Sequence, residues 1–408
     1  MSDQGNWNRR EFIVKPILWA RTASVFAKAD LLLASPTRGT SASPVLQRTL
    51  GNTGLTLPVV SMGVMNADVP GLLRRAYELG IRHFDTAAGY QNGRNEEMVG
   101  QVIKEMGVRD KVVISTKQPS RNRSQNAAEA KQQFIEAVEG SLRRLQMDHV
   151  DILYHHAVDS VDDAQAEGPL EALQSLKKDG KTRFIGLSTH NTVEVLSEAI
   201  RLNLFDVGLV MLNYTMAHDA GILSTVEKAA KSGMGIVAMK TQAGGTVRPD
   251  ASLPKELPPV SQTALLKWAL NHEFVTTAIP GFSTYEHLEQ DFSVARNLAY
   301  TREEEKFLAD KAFAANAEFC QQCGECRKDC PKQVDIPVLM RSHMYAVQYR
   351  NIGMAREVLS SAAPGRGLEA CGACESCLVT CRNTVQIGHK IRQLEALAVN
   401  SLFHTRVP

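Results

Sequence analysis

Cysteine is missing from the first 319 residues of this 408-residue chain, and all eight cysteines fall between residues 320 and 381. The longer part of the chain therefore has no thiol for a disulfide or a thiolate metal site. Also missing is any uninterrupted apolar run long enough to span a bilayer, although a 44% hydrophobic composition is enough to fill a large core. Aromatics make up only 6%, with no basic block interleaved among them, and 46 basic against 44 acidic residues leave a formal charge of +2. A phosphate-tracking surface needs more than that, so nucleic acid is not an expected partner. The first strand-like run leads into "SMGVMNADVPG", which has no G-x-G-x-x-G turn of the kind that opens a doubly wound dinucleotide fold.

What the chain does have is rhythm. "LQRTLGNTGLTLP", from residue 46, reads as a hairpin around a Gly-Asn-Thr-Gly turn. Short β-branched runs then alternate with amphipathic ones: "VVSMGV" with "GLLRRAYELG", "RHFDTA" with "NEEMVGQVIKEMG", and so on to "TTAIPGF" with "YEHLEQDFSVARN". Eight such pairs over roughly 250 residues predict an α/β fold, a (β/α)8 barrel closed at the bottom by the hairpin. We place a tail at 1–42, the barrel at 43–316 and a smaller, mainly helical C-terminal domain at 317–408. In the tail, Arg9 and Arg10 precede Phe12 and Ile13 as in a twin-arginine export signal, and "TSASP" at 40–44 offers a small-residue cleavage site. Arg21, Lys28 and Asp30 interrupt the apolar stretch between them, so the expectation divides between periplasmic export, narrowly favoured, and a cytoplasmic protein with a polar tail.

A barrel keeps its chemistry at the C-terminal ends of its strands. Asp85 ends the second strand-like run, Tyr90 follows in the loop, Lys117 ends the third, and His156 ends the fourth. Together they suit carbonyl reduction. A phenol with an ordinary pKa of about 10 is the proton donor, Lys117 the cation that eases its ionisation, Asp85 the anchor of Lys117, and His156 the group that orients the substrate oxygen. In "FDTAAGY", "VVISTK" and "VDILYHH" the chain resembles the aldo-keto reductase family over residues 46–298. The resemblance implies NADP- or NAD-dependent interconversion of a small carbonyl and its alcohol, with Tyr90 as general acid. It also selects His156 over His155, five residues after Asp151.

The cofactor contacts implied by the resemblance are altered. Ser188 of "GLSTH" is kept and Thr189 follows it, while Leu209 and Met239 replace the usual glutamine and stacking tyrosine. After the eighth strand, "IPGFSTYEHLEQD" puts Gly281, Ser283, His287 and Asp291 where a 2'-phosphate clamp would have fixed positive charge. Lys240 either restores a cation at the barrel mouth or is a solvated strand-end lysine.

The cysteines fall into Cys320, Cys323, Cys326, Cys330 and Cys371, Cys374, Cys377, Cys381, each spaced C-x2-C-x2-C-x3-C. Disulfides do not need one tight spacing twice, and zinc knuckles do not need a third cysteine at the same step. The spacing is that of two 4Fe-4S clusters, the fourth cysteine of each run serving the other cluster. The expected sets are Cys320, Cys323, Cys326, Cys381 and Cys330, Cys371, Cys374, Cys377. Arg382 stands where proline follows Cys330 in the first run. The whole is similar to fused reductase–ferredoxin proteins, with a redox partner protein as a possible electron acceptor or donor. The alternatives are an electron-transfer or redox-sensing adaptor built on a drifted barrel, and a reductase whose clusters are structural.

Overall fold

The computed structural model describes residues 43–120, 126–243, 260–310, 319–374 and 376–397. The twin-arginine stretch lies outside them. Among the described residues no helix is long and apolar enough to cross a membrane.

The chain enters through an antiparallel hairpin, β1 (Gln47–Thr49) against β2 (Thr56–Pro58). Its turn packs so closely on the next layer that a Cβ on Gly51, at φ +48°, would lie 2.4 Å from the Gly233 carbonyl oxygen. Only glycine fits there. Eight parallel strands follow in spatial order: β3 (Met62–Gly63), β4 (His83–Asp85), β5 (Val113–Pro119), β6 (Val150–His156), β7 (Thr182–Thr189), β8 (Val207–Met211), β9 (Gly235–Met239) and β10 (Thr277–Ala278). Parallel bridges Val60–Ala278 and Gly63–Gly281 join the first strand to the last and close the barrel.

Alternation along the strands sorts the core. In β6, Ile152 and Tyr154 fill the barrel interior with Leu50 and Leu57 of the hairpin, whereas Leu153 packs into the larger cluster outside. The outer helices obey the helical period: Arg94–Met106 buries Val99, Val102 and Ile103. The helix Arg302–Leu308 begins with a capping box, Thr301 with Glu304, and Glu304 also takes the Lys267 ammonium at 2.7 Å.

Residues Ser43–Pro408 form one compact unit. The cysteine-bearing segment lies against the barrel, its Phe319, Met340 and Met344 joining the same hydrophobic cluster as Phe282 and Met211. Its helices are Ile336–His343, Ile352–Ser360 and Ile387–Leu397. A wide π-turn, Met344–Gln348, continues the first helix. The chain then turns sharply at Arg350, φ +52°.

Candidate active site

The strand-end residues meet. The Lys117 ammonium, 2% exposed, forms an ion pair with Asp85 and donates to the Thr86 carbonyl at 2.6 Å and to the Tyr90 hydroxyl at 3.3 Å. The second Asp85 oxygen accepts from Ser115 Oγ at 2.7 Å, and that hydroxyl lies 2.9 Å from His83 Nε2. Asp85 is thus held from two sides and fixes Lys117 in turn. The His156 ring stands edge-on to Tyr90 with centroids 6.1 Å apart. All four line one cavity of about 500 Å³ at the C-terminal ends of the strands, within the range of ligand-binding clefts. His155 faces elsewhere, with Nε2 2.6 Å from Ser120 Oγ. Adjacent strand residues point to opposite sides, so only one of the two histidines reaches the cavity.

Electrostatics sets the proton inventory. Burial raises the Tyr90 phenol well above its ordinary pKa, and the nearby Asp85 charge adds to the effect. The Lys117 ammonium, 3.3 Å from the hydroxyl, is already engaged by Asp85, and the net shift of the phenol is upward. Burial lowers the Lys117 pKa, opposed by Asp85, and holds His156 well below its usual value, with Lys117 and His190 acting in the same direction. At neutral pH the site therefore offers a protonated phenol beside a neutral imidazole. The rate of carbonyl reduction is expected to stay level between about pH 6 and pH 9 and to fall at more alkaline pH as protons leave Lys117 and Tyr90. A break in the profile near about pH 6.5 would show His156 titrating normally and would contradict this arrangement.

Residues 61–310 match the family model described as "Aldo/keto reductase family". The chain belongs to the aldo/keto reductase family. It is similar to L-glyceraldehyde 3-phosphate reductase of Escherichia coli O157:H7, 28% identical, the match covering 63% of this chain and 89% of that one. It is also similar to L-galactose dehydrogenase of Arabidopsis thaliana, 26% identical over 62% and 88% of the two chains. Among solved structures, aldo-keto reductase AKR11C1 of Bacillus halodurans shares the fold at TM-score 0.56 and 23% identity, covering 69% of this chain and 99% of its own. An aldo/keto reductase of Klebsiella pneumoniae, solved with NADP and acetate, does so at TM-score 0.51 and 24% identity, covering 65% and 94%. The family match ends at residue 310, ahead of every cysteine.

Of the residues expected to hold a dinucleotide in this aldo-keto reductase, Ser188, Lys240, Gly281, Ser283 and His287 line the cavity, as do Leu209 and Met239. Thr189 and Asp291 do not. Thr189 follows Ser188 on β7 and turns away, its hydroxyl accepting from the Asn191 amide at 3.0 Å. Asp291 is buried behind Gln242, which donates to it at 2.8 Å, and burial pushes its pKa up to about 7. Lys240 is not a solvated lysine. It donates to the Tyr345 hydroxyl at 2.9 Å and lies 4.5 and 5.0 Å from the Tyr345 and Tyr349 ring centres.

Those two tyrosines come from the C-terminal segment, a contribution that the sequence reading misses. With Gln348, Arg350, Asn351 and Ile352 they form the outer wall of the cavity. A buried junction pins this wall down: Arg341 forms an ion pair with Asp159 and lies 3.3 Å from His190 Nδ1. Burial opposes the Asp159 charge, yet Arg341 and His190 outweigh it and keep the carboxylate well below its usual range. His190 also lines the cavity. The same Arg341 nitrogen also lies 3.5 Å from Gln322 Oε1, and the Gln322 amide donates to Cys320 Sγ at 3.2 Å. Arg382 adds a second tie, to Asp219 at 2.8 Å and to Glu325 at 2.6 Å.

None of the eight cysteines forms a disulfide. Cys320, Cys323, Cys326 and Cys381 line one cavity of about 220 Å³. Burial pushes the Cys326 thiol up to about 12, with the charges of Cys320, Cys323 and Cys381 adding to it. Burial likewise pushes Cys371 up to about 12, and there the contributing thiols are Cys330, Cys377 and Cys374. Among the described residues no group of three or more His, Cys, Asp or Glu side chains is arranged to hold a single metal ion.

Proposed function

We propose that this aldo-keto reductase interconverts a small carbonyl compound and its alcohol with NADPH or NADH, and that two 4Fe-4S clusters in its C-terminal segment connect that chemistry to a redox partner. The observation that carries the reductase half is the convergence of Asp85, Lys117, Tyr90 and His156 on one cavity wall. The names of the relatives and the NADP found in the Klebsiella structure support the cofactor class. Bound in the cavity, the reduced nicotinamide would supply a hydride to the carbonyl carbon. The chain does the rest. His156 orients the carbonyl oxygen, Tyr90 gives it a proton, and Lys117 steadies the phenolate that is left, under the hold of Asp85. The test is product analysis with NADPH and small aldehydes: alcohol matching the dinucleotide consumed supports the reading, and consumption without alcohol overturns it.

The cluster half is supported by donor chemistry. A single ion draws its ligands to one point, whereas the four irons of a cubane hold their cysteines around a body. Four thiols around a cavity of about 220 Å³ suit the second arrangement. The electrostatic neighbours of Cys326 and Cys371 divide the eight thiols into the crosswise sets. Such clusters would supply one-electron transfer, and the Gln322–Arg341–His190 contacts link the Cys320 thiol to the active-site wall. Anaerobically reconstituted protein is expected to hold about eight irons per chain, and Cys323→Ser to lose the spin-resonance signal of one cluster while retaining the other. Retention of both signals would contradict the ligand assignment.

The Arg9–Arg10 pair supports export of the folded protein by the twin-arginine route. N-terminal sequencing checks this: a start near residue 43 supports it, and an intact Met1 or Ser2 start in the cytosol contradicts it.

A further inference from the structure

A dinucleotide carries several negative charges, and a cavity that holds one must offset them with fixed cations or oriented donors. Among the described residues, three lysine or arginine side chains line this cavity: Lys117, Lys240 and Arg350. Lys117 is engaged by Asp85. Lys240 donates to Tyr345 and lies against two aromatic rings. Arg350 is exposed and has no hydrogen bond or ion pair to any other described residue. In the same cavity, the segment after β10 offers Gly281, Ser283 and His287, none of which carries a fixed charge.

The backbone that carries Arg350 is well held. The Asn351 amide donates to the Tyr345 carbonyl at 2.8 Å, and its side chain caps the next helix by accepting from the Met354 amide at 3.0 Å. The same side chain contacts Asn66 of the barrel at 3.5 Å. Asn66 in turn lies beside Gly281, its Nδ2 3.8 Å from where a Cβ on that glycine would stand. Arg350 itself adopts φ +52°, a conformation that side-chain-bearing residues seldom take and that this anchored turn imposes. The C-terminal segment thus presents an unpaired guanidinium from a fixed turn, on the wall that also holds the uncharged segment after β10.

We propose that Arg350 is the phosphate-binding cation of the dinucleotide site, supplied to the barrel by the cysteine-bearing segment. This rests on the nicotinamide reading above. Its planar fork matches a phosphate, and its position makes the C-terminal segment part of the cofactor site as well as the outer wall of the cavity.

The experiment is an anaerobic fluorescence titration of the full-length, cluster-loaded protein with NADPH and with NADH, for wild type, Arg350→Gln and Arg350→Lys. Arg350→Gln is expected to weaken binding about tenfold or more, with the lysine variant between it and wild type. Loss confined to NADPH places Arg350 on the 2'-phosphate, and equal loss for both places it on the pyrophosphate; either supports the proposal. Raising the salt concentration should erode wild-type affinity more steeply than that of the glutamine variant. Arg350 is exposed, so unchanged melting temperatures are expected to show that the variants fold. Wild-type affinity for both dinucleotides in Arg350→Gln overturns the proposal while leaving the nicotinamide reading intact. A wild-type protein that binds neither dinucleotide overturns both.

Discussion

Tyr90→Phe is expected to lower the rate constant of carbonyl reduction by about 10²–10⁴-fold while leaving dinucleotide affinity unchanged, because it removes the proton donor and nothing else. The phenylalanine ring keeps the edge contact with His156 and the face beneath Lys117, so the cavity keeps its shape. What disappears is the hydroxyl 3.3 Å from the Lys117 ammonium, the protonated group best placed to neutralise a developing alkoxide. Stopped-flow measurement of a single turnover separates this step from product release. A variant that turns over at the wild-type rate would remove Tyr90 from the chemistry and leave the buried Asp85–Lys117 pair as a structural ion pair.

Arg341→Met is expected to loosen the C-terminal segment from the barrel. The guanidinium is 7% exposed and its partner Asp159 about one-fifth exposed, so removing the cation strands a carboxylate that burial already penalises. Breaking such a pair costs about 3–5 kcal/mol, and the partial exposure of Asp159 favours the low end. Amide hydrogen exchange is the suitable readout, because local opening need not follow a two-state melt in a protein of this size. Protection in the helix Ile336–His343 should fall by about a hundredfold, and the Arg341→Met/Asp159→Asn double variant should recover part of it by removing the stranded charge. Unchanged protection in Arg341→Met would show that the apolar contacts of Phe319, Met340 and Met344 hold the segment without this junction.

The barrel and the convergence of its strand-end polar residues on one cavity were legible in the sequence because both follow from local rules. Alternating strand-like and helix-like runs leave few folds, and strand ends then select Asp85, Lys117 and His156 with no knowledge of distant contacts. Thr189 and Asp291 lie outside the cavity for local reasons as well. Successive strand residues face opposite sides, so Ser188 on the cavity turns Thr189 away from it. Asp291 lies one helical turn beyond His287, on the face that packs inward behind Gln242. The outer wall is a different matter. Arg341 meets Asp159 across 182 residues, and no periodicity or spacing signals a pairing of that range. Tyr345 and Tyr349 read only as one face of a helix until the segment is laid across the barrel mouth.

A single anaerobic turnover tests the account most directly: mix the cluster-loaded protein with NADPH deuterated at both C4 positions and a small aldehyde, and follow deuterium in the product alongside the visible cluster spectrum. The account predicts one deuterium on the carbinol carbon for each dinucleotide consumed, whether or not the clusters later exchange electrons with a partner. Bleaching of the clusters with no deuterated alcohol would contradict it, and would make the barrel a docking platform for an electron-transfer protein.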